Sequence, residues 1–488
     1  MAIVTSTITG QWTAPAGAPL AGAVAKIRAN TADGLLRDVL TGQVVAYQSR
    51  VTADDDGNLT VSLPSSGIEP ASPQWVIEFE PKLGISPVYF TLSSDTTWAQ
   101  VISVAEAPAE SGLVEELSSL ITDVRAGTPL GNRRALAPWY AALANRDSAP
   151  AKIMVIGDST MHYGASAWSK TTTERLRALL QAKYPTAGVA TPGDGYIPAY
   201  KNLAPTLPGT QSGGTGYTTG AGLGMEHYNI ANPGTAQYRE VTFTGDAVRV
   251  WYGKSNYLVG QAIVSIDTVD QSPNLNSNNG STYPPQVDGD GYYADYAFSA
   301  GSHTVRVRAV NAFAFLLDGI EVFNGDKTKG LHVYNAARSG GKASQYAGSA
   351  GLRHWEHAAV IQPQLWVIAL GINDEVDADV TGYLNNIDTI LSTKIPAAMG
   401  SNPYSVLLVN QYRPSRATDD ERWAAMYAGL RERVAGNVAW LDLAGMWPLL
   451  AADGSTSYGL MSESTNPLHP STLGHELQAQ VLADAIGF

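Results

Sequence analysis

The chain has 488 residues, no cysteine and a formal net charge of −13, from 31 Lys+Arg against 44 Asp+Glu. Without thiols there is no disulfide scaffold, thiolate zinc site, iron–sulfur cluster or cysteine nucleophile, and an acidic chain with no Lys/Arg cluster is a poor fit to nucleic acid. Hydrophobic residues at 44% and charged residues at 15% exclude a disordered chain, and the length suggests about three domains.

The N-terminus lacks the basic start and apolar stretch of a secretory signal. No apolar run is long enough for a bilayer, so no membrane insertion is expected. Residues 1–106 read as an N-terminal β-sandwich. Strands are expected at 5–13, 24–29, 74–79 and 88–92, and Asp54-Asp55-Asp56-Gly57-Asn58 reads as a hairpin turn. That Asp cluster lacks the spaced ligands and closing Glu of an EF-hand loop, so a solvated turn is the reading. Residues 107–130 form a helical linker. Leu113, Leu117, Leu120 and Val124 are spaced four, three and four, which suits either one amphipathic helix or a short homotrimeric coiled coil.

An α/β domain is placed from residue 131, its first part spanning 131–189, and the pattern changes from Lys152. The run at 153–156 is continuous and apolar, as in a buried parallel strand. A helix follows at 171–184, with Thr171 and Glu174 spaced as a capping box and Pro185 as its stop. Residues 190–328 lack a helical period and alternate at 240–252, 262–268 and 303–310, so they read as a β-sandwich inserted into the α/β domain. That domain resumes over 329–488. Strands are expected at 332–334, 365–370, 406–409 and 438–443, with amphipathic helices between them and one at the end of the chain. Alternating strand and helix implies a parallel sheet with helices on both faces. The fold class expected is therefore multidomain α/β plus β.

Four short segments sit at expected strand ends or just before helices. They are Gly157-Asp158-Ser159, Asn335-Ala336-Ala337-Arg338-Ser339-Gly340, Gly371-Ile372-Asn373-Asp374 and Asn466-Pro467-Leu468-His469-Pro470. In open α/β sheets this rim binds ligands. A serine hydroxyl needs a base in reach, and a developing oxyanion needs preorganised donors. In this order the segments resemble the SGNH (GDSL) hydrolase family over residues 150–185 and 330–488. The resemblance implies a three-layer α/β/α domain, Ser159 as nucleophile and His469 as base. It also implies an oxyanion hole from the N–H groups of Ser159 and Gly340 with the Asn373 side chain, supported by Asp158 and Asp374. No metal or cofactor is implied.

The last block departs from the family's usual Asp-x-x-His by carrying Asn466. Three readings stay open: a Ser–His pair oriented by Asn466 or a backbone carbonyl, another carboxylate such as Glu463 in that role, or an impaired site kept for binding. His162 is expected at the pocket mouth. Trp251 and Tyr252 of the insert are candidates for substrate contact, because exposed rings stack on sugar faces. His354 and His357, three apart, read as surface or packing residues, and His475 as structural.

The richness in Gly (48), Tyr (23) and Trp (11) suits an extracellular or particle-borne β-rich protein. The layout resembles bacteriophage tail fibre and minor tail proteins that carry an SGNH domain. This implies a serine esterase or deacetylase acting on acyl groups of a cell-surface polysaccharide or glycolipid, located on a virion tail or outside the cell after lysis. Implied partners are the glycan, other tail proteins and further copies in a homotrimer. Alternatives are a receptor-binding or structural tail protein without turnover, and a free bacterial carbohydrate esterase or lipase.

Overall fold

The computed structural model describes residues 130–189, 192–217, 221–254, 260–277, 289–348, 352–413, 420–446, 459–463 and 467–487, with Asp54 and the strands between residues 4 and 97. It divides into two units, 1–127 and 128–488. The linker proposed for residues 107–130 lies outside the described residues except at Leu130.

In the first unit the strands form three small sheets. Val4–Gln11 pairs antiparallel with Asn58–Ser66, and Val24–Ala29 lies between Gln48–Thr52 and Gln74–Phe79. The expected hairpin turn at Asp54–Asn58 is corrected by this pairing. Its two flanking strands, Gln48–Thr52 and Asn58–Ser66, belong to different sheets, so the segment carries the chain from one sheet to another.

The second unit is built on a six-stranded sheet in the order Leu130–Gly131, Val438–Asp442, Ser405–Asn410, Leu365–Ala369, Ala151–Gly157, Leu331–Asn335. Only the short first strand runs antiparallel; the other five are parallel. Ala151–Gly157 is buried except at Lys152, because helices cover both faces and leave no side for polar residues. Helices Thr172–Lys183 and Thr472–Ile486 pack together. Leu352–Ile361, Val380–Thr389 and Asp420–Glu432 contribute to the core that holds Met154, Ile156, Trp366, Leu408 and Trp440. The expected capping box is absent: Thr171 makes no side-chain cap bond, its hydroxyl donates to Trp168 O at 2.8 Å, and Glu174 instead pairs with Arg177.

The sheet reverses its winding at Ala151–Gly157. The next strand in sequence, Leu331–Asn335, lies on one side of it and Leu365–Ala369 on the other. Loops leaving the C-terminal ends of these strands diverge and leave a crevice, which is where open α/β sheets bind ligands.

Between helix Thr172–Lys183 and strand Leu331–Asn335 the chain builds a β-rich insert. Among the described residues its ten strands are hydrogen-bonded into one antiparallel sheet rather than two separate ones. The 17-residue strand Tyr238–Lys254 and the 21-residue strand Gly289–Ala309 pair along most of their length. The insert has its own core, with Val241, Val250, Val264, Val307 and Leu317. Four of its residues, Tyr196, Leu223, Met225 and Trp251, belong to the α/β core. Among the described residues no helix is long and apolar enough to cross a membrane.

Candidate active site

Ser159 begins a short 3-10 turn directly after the buried strand Ala151–Gly157. Asp158 caps that turn, accepting from Thr160 N at 2.9 Å and Thr160 Oγ1 at 2.7 Å. Gln411 Nε2 donates to the same Thr160 hydroxyl at 2.9 Å. The Ser159 turn is thus held by a buried polar chain that reaches across the sheet to the end of Ser405–Asn410.

His469 arrives from the other end of the sequence. Met461 pairs with Pro470 across an isolated bridge, Ser462 N donates to His469 O at 2.9 Å and Ser471 N donates to Leu460 O at 2.8 Å. This small hairpin precedes helix Thr472–Ile486, whose N-cap is Ser471. It lies close to the loop after Ser159 because Gly164 has no side chain. A Cβ there would sit 2.2 Å from Pro470 O, and the backbone φ is +94°.

The hairpin places His469 Nε2 2.9 Å from Ser159 Oγ. On the other side of the ring, His469 Nδ1 is hydrogen-bonded to Glu463 Oε1. Glu463 Oε2 also accepts from His469 N at 2.9 Å and Leu468 N at 3.2 Å. Burial raises the Glu463 carboxyl, but these bonds from the His469 backbone and ring and from Leu468 outweigh it and leave the carboxyl below its ordinary range. An ionised carboxylate only accepts, so Nδ1 carries the proton and Nε2 presents its lone pair to the serine hydroxyl. Tyr163 meets the His469 ring edge-on, with centroids 4.4 Å apart.

Ser159, His469 and Glu463 therefore form a continuous hydrogen-bonded chain of hydroxyl, imidazole and carboxylate. Asn466 lies outside the described residues, and the ring nitrogen it was expected to orient is occupied by Glu463. The signal for Glu463 was a carboxylate six residues before the histidine; only the hairpin makes that separation a contact.

Residues 322–477 match the GDSL-like Lipase/Acylhydrolase family.

The GDSL-like match begins at the end of the insert and includes Gly340, Asn373, Glu463 and His469. Ser159 lies upstream of it, across the insert, and the fold returns it to His469. No curated protein matches the chain. Among solved structures, a peptidoglycan O-acetylesterase is similar at 16% identity over 72% of this chain and 96% of the other, with a TM-score of 0.49. A family two carbohydrate esterase from Clostridium thermocellum, in complex with cellohexaose, is similar at 12% identity over 53% and 93%, with a TM-score of 0.27. An acetyl xylan esterase from Butyrivibrio proteoclasticus is similar at 10% identity over 59% and 97%, with a TM-score of 0.27.

Gly340 and Asn373 follow the two strands that flank the nucleophile strand. Gly340 has φ +70° and open space around its Cα. Asn373 Nδ2 donates to Gly341 O at 3.2 Å, which ties the two loops together. Asp374 supports this arrangement from below, accepting from Ala343 N at 2.9 Å. Its other oxygen is buried without a partner. Burial, with Asp158 adding to it, pushes the Asp374 carboxyl up to about 7, and burial also raises Asp158.

Two expected substrate contacts, His162 and Trp251, are corrected. His162 is fully buried, with Nε2 3.0 Å from Ser339 Oγ, and burial pushes its ring down to about 3; it does not line the mouth. Trp251 is 1% exposed, donates to Glu321 Oε2 at 3.0 Å and packs on His357. It belongs to the core that joins insert and α/β unit. Tyr252 is partly buried and stacks on Phe315.

His354 and His357 are fully buried, and His475 holds Thr172 and Tyr163 in place, so all three have packing roles. No group of three or more His, Asp or Glu able to hold a metal occurs among the described residues.

Proposed function

We propose that the protein is a serine esterase that removes short acyl groups, acetyl in the first instance, from a cell-surface glycan. The observation that carries this reading is the Ser159–His469–Glu463 chain at the switch point of the sheet. Ser159 Oγ attacks the ester carbonyl while its proton passes to His469 Nε2. The resulting imidazolium faces the Glu463 carboxylate, which stabilises the charge and keeps the ring in place.

The carbonyl oxygen becomes an oxyanion, which the N–H groups of Ser159 and Gly340 and the Asn373 amide are assigned to receive. His469 returns the proton to the sugar oxygen as the C–O bond breaks, leaving an acyl–Ser159 ester. Water then attacks that ester and gives a proton to His469, which returns it to Ser159 Oγ as the acyl–serine bond breaks and the carboxylic acid leaves.

The glycan assignment, and a place on a phage tail or outside the cell, follow the resemblance of the chain's layout to tail proteins with such a domain. Hydrolysis of p-nitrophenyl acetate and of acetylated glycans, compared between wild type and Ser159→Ala, tests the reading. A loss of about 10³-fold or more is expected. An equal rate in the variant assigns the chain to a binding role instead.

A further inference from the structure

The side chains of Lys201 and Glu226, both from the insert, are completely buried and paired, with Nζ 3.0 Å from Oε2. Removing two charges from water costs several kcal/mol per ion, and a well-packed apolar pair is often as stable. The pair therefore has no evident advantage as a source of stability, and its other contacts show what it holds.

Lys201 Nζ donates to Ala337 O at 2.5 Å. Glu226 Oε1 accepts from Asn202 N at 3.3 Å, and Asn202 O in turn accepts from the Ser339 hydroxyl. Arg338 reaches Met225 Sδ at 3.7 Å. Ala337, Arg338 and Ser339, the three residues immediately before Gly340, are thus each held by the insert. The α/β unit holds the same loop from the other side through Arg338 N, which donates to Gly157 O at 3.0 Å. The close approach needs Gly224, where a Cβ would lie 2.7 Å from Ala336 O and 2.8 Å from Lys201 Nζ.

We infer that Lys201 is a positioning residue for the hydrolase: through Ala337 it sets the place of the Gly340 N–H in the oxyanion hole. The inference rests on the proposed serine-esterase reading. It gives the insert a part in the reaction separate from any contact with substrate. A donor displaced by about 1 Å costs about 10²-fold.

The test uses the full chain with Lys201→Met and with Lys201→Met/Glu226→Leu, the second removing both charges so that neither is left buried alone. In the folded variants kcat is expected to fall about 10²-fold with KM within about threefold. Amide exchange across residues 335–341 is expected to accelerate. Asn373→Ala is expected to cost less in the Lys201→Met background than in wild type, because both changes damage one site. Wild-type kcat, or wild-type exchange across 335–341, in a folded variant overturns the inference. If wild type shows no Ser159-dependent turnover, the esterase reading fails, and with it the catalytic role of Lys201. The exchange result then separately decides whether the insert clamps the loop.

Discussion

The two halves of the proposed catalytic centre are assembled in opposite ways. His469 and Glu463 lie six residues apart on one hairpin, and their geometry needs little beyond that hairpin and its seat at Gly164. The Gly340 loop is held by residues scattered along the chain: Gly157 before the insert, Lys201 and Asn202 within it, and Asn373 well after it. The proposed base is thus a local product of sequence, whereas the proposed oxyanion loop is a product of the whole fold. Changes near the hairpin should damage proton transfer alone. Changes in the insert or its interface should reach the oxyanion loop and the stability of the unit together.

Glu463→Gln gives the sharpest break on the base side. It keeps the shape but removes the charge facing the imidazolium, and a loss of about 10³- to 10⁴-fold in kcat is expected. Asn466→Ala should stay within about threefold by the same steady-state assay; a large loss there would return the orienting role to Asn466.

On the fold side, Trp251→Ala empties a buried site shared by two cores. It should cost about 3–5 kcal/mol in denaturant unfolding. A change within error would show that the insert is seated by other contacts.

Asn373→Ala should lower kcat by about 10²-fold with little change in KM. A rise in KM alone would place the amide in ground-state binding.

A pH dependence of stability is expected from Asp374. Its carboxyl is raised to about 7 in the folded state and ordinary in the unfolded chain, so the native protein binds more protons between about pH 4 and 7. Stability from this group is full at low pH and declines as pH rises through that window, by at most about 1.4 kcal/mol per pH unit. Asp374→Asn should flatten this slope in urea titrations, and an unchanged slope would deny the shift.

The α/β framework was readable because its strands are continuous apolar runs and its helices show apolar stripes, as at Tyr383, Ile387 and Ile390. The segments carrying Ser159 and His469 could be placed at strand and helix boundaries, and the fold brings the two side chains within hydrogen-bond distance. Strand Phe315–Phe323 was not, since it is buried along its whole length and shows no alternation to read. The insert's aromatic residues suggested a sugar platform, but whether Trp251 faces solvent or the α/β core depends on what packs over it. Lys201 gave no signal at all. A lysine in a loop reads as solvated until the fold closes over it.

The short hairpin around His469 also bears on how such a centre can be altered. A base and its acidic partner on one contiguous stretch of about a dozen residues can be inherited, exchanged or transplanted as a single cassette.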